Sequence, residues 1–135
     1  MKHRAPDVAL AVKRLQHRHH RAMSQALAPL GLSLVQWDTL RHLHRQPDAS
    51  LHDLAVLTFQ TDQSFGSLAV RMAERGLIER IDGPGRAVRH KLTDEGARLR
   101  AEGQELVDGI TEKSFSALSV EQLDQLGDLL AIALG

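Results

Sequence analysis

Residues 75–96 read Arg75-Gly76-Leu77-Ile78-Glu79-Arg80-Ile81-Asp82-Gly83-Pro84-Gly85-Arg86-Ala87-Val88-Arg89-His90-Lys91-Leu92-Thr93-Asp94-Glu95-Gly96. Gly76 is placed to end a preceding helix, because glycine tolerates the left-handed conformation that closes one. Leu77 to Ile81 forms a short apolar strand. Asp82-Gly83-Pro84-Gly85 concentrates turn-forming residues. From Ala87 to Leu92 the residues alternate: Val88, His90 and Leu92 point one way, Ala87, Arg89 and Lys91 the other. Thr93 is an N-cap, and Asp94 and Glu95 suit the positive end of the helix dipole that follows. The segment is a β-hairpin with one basic, exposed face, held between two helices.

Upstream of the hairpin the spacing predicts a helix over about 63–75. Phe65, Leu68, Ala69 and Met72 share its apolar face, while Gln63, Ser64, Ser67 and Arg71 lie largely opposite. A turn near 58–62 separates it from a short helix opened by a capping box at Ser50 and Asp53, with Leu51, Leu54, Ala55 and Leu57 turned inward. Ser33 caps a helix over 33–45 whose stripe is Leu34, Trp37, Leu40 and Leu43, and Pro47 breaks it. The first helix spans 7–29, started by Pro6 and ended by Pro29 and Gly31. Its apolar positions are Val8, Ala11, Leu15, Ala22, Ala26 and Leu30; Lys13, Arg14, His17 and Arg21 lie opposite. Downstream, one helix runs from Asp94 to about Ser114. Another, capped by Ser119, carries Leu123, Leu126, Leu129, Leu130 and Leu134.

The expected fold is mainly α with a small β-hairpin wing. It is a winged helix-turn-helix over 33–92, flanked by helices over 7–30 and 94–135, all in one domain spanning 1–135. Residues 118–134 hold more leucine than one small winged unit can cover, and a contiguous exposed apolar face is a liability in a monomer. Leu123, Leu126 and Leu130 of that face are expected to contact a second copy.

The chain has 135 residues and no cysteine, which excludes disulfides, thiolate metal sites and a thiol-based sensor. Aromatic residues make up only 3%, so the core rests on aliphatic side chains, as packed helices allow. No apolar run approaches the ~18 residues needed to span a bilayer. The N-terminus has no secretory pattern, so a cytoplasmic location is expected. Formal net charge is zero, but it is unevenly spread. Residues 1–45 carry eight Lys/Arg against two acids, and 71–91 carry six against three. Residues 92–135 carry three against nine. A basic front and centre can attract phosphate despite the neutral total.

A helix, turn, helix and hairpin in this order can set the 63–75 helix in the major groove of duplex DNA. Gln63, Ser64, Ser67 and Arg71 then face base edges and phosphates. Arg86, near the hairpin tip, suits a narrow, strongly negative minor groove. Arg89 and Lys91 suit phosphate.

These residues resemble the MarR-type regulators. The matching stretches are Leu34-Val35-Gln36-Trp37-Asp38-Thr39-Leu40, Leu54-Ala55, Arg75 to Arg80, and Arg86 to Gly96. The wing of that family commonly reads Asp-x-Arg-Ala, four more residues, then Leu-Thr. Arg86-Ala87 and Leu92-Thr93 match it; the Asp falls on Pro84, with Asp82 two residues earlier as the substitute. The resemblance implies a homodimeric repressor on a pseudo-palindromic operator, released by a small aromatic or anionic ligand, with the helices over 7–30 and 94–135 forming the dimer base and Val8, Ala11, Leu123, Leu126 and Leu130 among its contacts. It also implies an effector cleft between dimer base and winged unit, lined by Trp37, Arg21 and His17.

Two other readings stay open: a helical dimeric interaction module with little or no DNA binding, and a metal-responsive regulator. Eight histidines favour the latter, with His17 and His20 on one face, but no third and fourth ligand accompany them. No metal or other cofactor is expected. His19 reads as a core or interface histidine with a hydrogen-bond partner. No nucleophile triad, phosphate loop or zinc-protease motif is present, so catalysis is not expected.

Overall fold

A capped helical chain with one antiparallel hairpin emerges from the computed structural model, which describes residues 2–81 and 87–135. The element order is α1 (Ala5–Leu27), a 3-10 turn (Ala28–Leu30), α2 (Leu34–Arg45), α3 (Leu51–Leu57), α4 (Asp62–Glu74), β1 (Ile78–Ile81), β2 (Arg89–Leu92), α5 (Asp94–Ser114) and α6 (Val120–Leu134). The hairpin pairs Ile78 with Leu92 and Ile81 with Arg89. The tip, with Asp82, Pro84 and Arg86, lies outside the described residues.

Local chemistry sets the helix starts. Ser33, Ser50 and Ser119 each complete a reciprocal capping box, with Gln36, Asp53 and Gln122. Thr61 caps α4 and Thr93 caps α5. These side chains satisfy amide groups that a helix start leaves without partners. Gly31 and Gly76 take positive φ after the 3-10 turn and after α4. Thr93 does more than cap: its hydroxyl also donates to the carbonyl of Gly76 at 2.6 Å, tying the start of α5 to the end of α4.

One apolar cluster joins the elements. Leu27 from α1, Trp37, Leu40 and Leu43 from α2, and Leu54 and Ala55 from α3 are buried together. Phe65, Leu68, Ala69 and Met72 complete it from α4, with Leu77, Ile78, Leu99 and Val107. The sequence reading placed the four α4 residues inward, and they are buried. Glycine governs how closely α5 packs. At Gly103 an added Cβ would meet the Trp37 indole, and at Gly96 it would meet the Leu77 carbonyl.

The two ends of the chain behave differently. None of the α6 residues is buried, and Val120, Ile132 and Leu134 are 76%, 76% and 87% exposed. Val8, Leu10 and Val12 of α1 are exposed as well. The core joins the winged unit to the end of α1 and to α5, while the start of α1 and all of α6 leave apolar surface open. No helix among the described residues is long and apolar enough to cross a membrane.

Candidate nucleic-acid interface

Burial of Phe65, Leu68, Ala69 and Met72 forces the opposite face of α4 outward, because helical residues three and four apart share a side. Gln63, Ser64, Ser67 and Arg71 all stand on that exposed face. With Thr61 they line one shallow polar depression of about 350 Å³. The structure thus brings together all four of the recognition-helix residues expected from sequence. It adds Thr61, whose hydroxyl accepts the Ser64 amide at 3.0 Å. The Ser64 hydroxyl in turn donates to the Gln60 side chain at 2.9 Å, which fixes its direction.

A second link secures this face. His52 on α3 reaches Asp62 in the first turn of α4, Nδ1 to Oδ1 at 2.8 Å. The hydrogen bond and charge of Asp62 raise the His52 pKa above its ordinary value. The sequence reading missed the pair because its partners are ten residues apart on different helices.

The hairpin supplies the cations. Arg89 and Lys91 are exposed on the outer side of β2, while His90 between them is buried. Arg89 pairs across to Ser50 in an isolated antiparallel bridge, and the Leu51 amide donates to the Val88 carbonyl at 2.9 Å. These bonds anchor the wing base to the start of α3. Lys91 lies 3.5 Å from Glu79, its register partner on β1, so part of its charge is already answered. That pair is exposed and weak, on the order of 0–1 kcal/mol, so phosphate can compete for the lysine. Arg86 lies outside the described residues. Arg75, at the end of α4, donates to the Gly31 carbonyl at 2.6 Å and serves to dock α4 on the α1–α2 turn.

The expected effector residues are not brought together within the chain. Trp37 is 3% exposed, and its indole Nε1 donates to the Arg100 carbonyl at 3.1 Å. It borders a cleft of about 330 Å³ with Met23, Leu34, Arg41, Arg45 and Val107. Arg21 and His17 instead share a different stretch of α1 with Lys13 and Arg14. The cause is helical phase: positions 17 and 21 lie one turn apart on the face of α1 opposite the core. The cations beside Trp37 are Arg41 and Arg45. The signal for them was present, since residues 37, 41 and 45 recur every four positions. Arg41 stands over the indole at 5.8 Å and is held by Asp38 through bonds of 2.9 and 2.7 Å. Arg45 makes no ion pair among the described residues. Burial pushes the neighbouring His42 below its ordinary pKa, against the opposing pull of Asp38.

His19 has the hydrogen-bond partner expected of it: its Nε2 is 2.6 Å from the Ser114 hydroxyl, and its ring meets Phe115 edge-on. Among the described residues no group of three or more histidines and carboxylates is arranged to hold a metal.

Comparison with known proteins agrees with this architecture. The profile of the MarR family matches residues 30–87, from the end of the 3-10 turn to Ala87, two residues short of β2. The chain is 22% identical over 121 residues to the HTH-type transcriptional repressor IacR of Pseudomonas putida, covering 88% of this chain and 72% of that protein. A mutant MarR from E. coli solved with operator DNA superimposes with a TM-score of 0.85 at 19% identity, over 95% of this chain and 94% of that one. A Mycobacterium tuberculosis MarR family protein in complex with salicylic acid gives 0.77 at 24% identity, over 99% and 98% of the two chains. The chain thus has the fold of the solved MarR proteins and is similar to the MarR family over residues 30–87.

Proposed function

We propose that this protein is a homodimeric transcriptional regulator that represses by occupying a pseudo-palindromic operator. The observation that carries the reading is the outward face of α4, where Gln63, Ser64, Ser67 and Arg71 converge beside a hairpin bearing Arg89 and Lys91. Short polar side chains suit base edges in the major groove, and the flanking cations suit phosphate. Arg86 takes the minor groove. Support comes from the E. coli relative, solved with operator DNA.

The exposed faces of α1 and α6 supply the dimer. Leu123, Leu126 and Leu130 lie on α6, which has no fully buried residue within its own chain, and Val8 and Ala11 lie on the exposed part of α1. Two winged units related by a twofold axis then meet half-sites about 34–36 Å apart.

The Trp37 cleft is the effector site, and it suits a small anion with an aromatic or other flat apolar body. The indole supplies the wall and Arg45 the charge. The salicylic acid complex of the mycobacterial relative supports this class of ligand. The relatives are named as regulators, and the protein is accordingly read as non-catalytic.

Fluorescence anisotropy of the purified protein on its own upstream intergenic DNA, against a scrambled duplex at two salt concentrations, tests the reading. Competitor-resistant binding that weakens steeply with salt is expected. No preference for the upstream DNA at either salt overturns it and favours a protein-interaction module.

A further inference from the structure

Three helical segments of this chain close in the same way. The amide of the closing residue donates three residues back, and the next amide donates five residues back. Gly31 and Leu32 donate to Ala28 and Leu27, at 2.9 and 3.3 Å. Gly76 and Leu77 donate to Ala73 and Met72, at 2.9 and 3.0 Å. Phe59 and Gln60 donate to Val56 and Ala55, at 3.1 and 2.8 Å. The closing residues Gly31, Gly76 and Phe59 take φ of 72°, 74° and 59°. Glycine adopts this left-handed position freely, and an apolar residue after it packs back on the helix. Leu32 and Leu77 are buried in that way. After α3 the order is reversed: an aromatic residue holds the left-handed position and a polar one follows it.

Neither half of the reversal stabilises the chain by itself. A Cβ at positive φ crowds the backbone, and the turn of a helix-turn-helix often carries glycine instead. The Phe59 ring gains no burial in exchange. At 95% it is the most exposed large apolar side chain among the described residues. The proposed dimer covers α6 and the start of α1, and Phe59 belongs to neither. What its turn adjoins is the outward face of α4. The Gln60 side chain accepts the Ser64 hydroxyl at 2.9 Å, and Thr61 caps the helix. Ser64 and Thr61 both line the polar depression on that face. The start of a recognition helix is the end that meets base edges. We infer, resting on the DNA-binding reading above, that Phe59 is a DNA-contacting residue whose ring packs on apolar carbon of the duplex, the thymine 5-methyl group or the edge of a deoxyribose. Contact with the duplex then offsets the strained backbone and the wet ring together. It adds an apolar contact to a face whose other readers are polar.

Full-length wild type, Phe59→Gly, Phe59→Asn and Phe59→Tyr are compared on the upstream intergenic duplex by anisotropy, with the melting temperature of each. Glycine and asparagine both accept the left-handed backbone, while only tyrosine keeps the ring. Phe59→Gly and Phe59→Asn are expected to melt at or above the wild-type temperature. They bind at least about tenfold more weakly, as expected when a phenyl ring is no longer buried. Phe59→Tyr keeps most of the affinity. The same duplex with uracil for thymine separates the two contacts. A larger loss in wild type than in Phe59→Gly places the ring on the methyl group, and an equal response places it on the deoxyribose. Wild-type affinity in Phe59→Gly and Phe59→Asn overturns the contact and leaves the DNA-binding reading standing. A wild type that does not bind the duplex overturns both. Affinity lost together with melting temperature, or a changed sedimentation of the protein without DNA, makes Phe59 a packing or protein-contact residue and overturns the contact equally.

Discussion

The Trp37 indole Nε1 donates to the Arg100 carbonyl at 3.1 Å, and one turn further along α5 Gly103 leaves the space that the indole ring occupies. Helices α2 and α5 approach this closely because position 103 has no side chain. Trp37 also lines the cleft beside Met23 and Val107, so packing and the proposed effector site share a residue.

Gly103→Ala tests the close approach. Its Cβ would meet the indole and lie 3.0 Å from the Leu27 Cδ2. Alanine normally favours a helix over glycine by about 1 kcal/mol. Here overpacking outweighs that gain, and a loss of about 1–3 kcal/mol is expected in urea unfolding. Gly66→Ala in α4 is the control, since nothing lies near its added Cβ. It should gain up to about 1 kcal/mol.

Gly96→Ala should cost more than Gly103→Ala. Its Cβ would strike the Leu77 carbonyl, which is backbone and cannot rotate away. That carbonyl also accepts the Thr93 amide at 3.2 Å. The expected result is a wing base detached from α5, seen as a lower melting temperature and faster amide exchange at Thr93. An unchanged melting temperature would refute the packing.

The His52–Asp62 pair predicts a pH dependence. Asp62 raises the His52 pKa, so folding favours the protonated ring. The contribution is full below the ordinary histidine value and is lost as pH rises through the raised one. Both groups are exposed, so the effect on stability is small. The sharper readout is NMR: the His52 titration midpoint should lie above that of the ordinary residue and fall back in Asp62→Asn. DNA affinity should decline over the same range as the Asp62 carboxylate loses its cation, and Asp62→Asn should flatten that decline.

Individual side chains should divide by role on DNA. Arg71→Ala is expected to weaken operator binding by about 1–3 kcal/mol and relax sequence preference. Arg89→Ala should weaken all sequences alike and reduce the salt slope by about one. Arg86→Ala is expected to cost about 1–3 kcal/mol through the minor groove. Equal behaviour of all three on operator and scrambled DNA would remove α4 as the reader.

Leu130→Asp should split the dimer. The residue is 41% exposed on a helix with no fully buried residue within one chain. Analytical ultracentrifugation should show monomers, and operator affinity should fall with loss of the second half-site. A variant that stays dimeric places the interface elsewhere.

Much of this protein was legible as a string of residues, because the deciding interactions are local. The capping boxes at Ser33 and Ser50 are written within four residues. The glycine after α4 and the alternation of β2 are written within six. The apolar phase of α4 exposed Gln63, Ser64, Ser67 and Arg71 without any knowledge of neighbours. Boundaries moved by a residue or two where helix ends compete with turns: α4 starts at Asp62 rather than 63, and α1 gives way to a 3-10 turn at Ala28.

What the chain's order could not settle is which distant groups meet. Arg21 and His17 share a helix with Met23, yet helical phase turns them away from Trp37. The cleft is completed by Arg41 and Arg45 of Trp37's own helix and by Val107 of α5, seventy residues along the chain from Trp37. His52 meets Asp62, and His19 meets Ser114, only because α3 packs on α4 and α1 on α5. Backbone periodicity and capping act within a few residues and leave their mark in the sequence. Side-chain partnerships across helices depend on packing distance and rotation, which follow from the shared core around Leu27, Leu40 and Phe65.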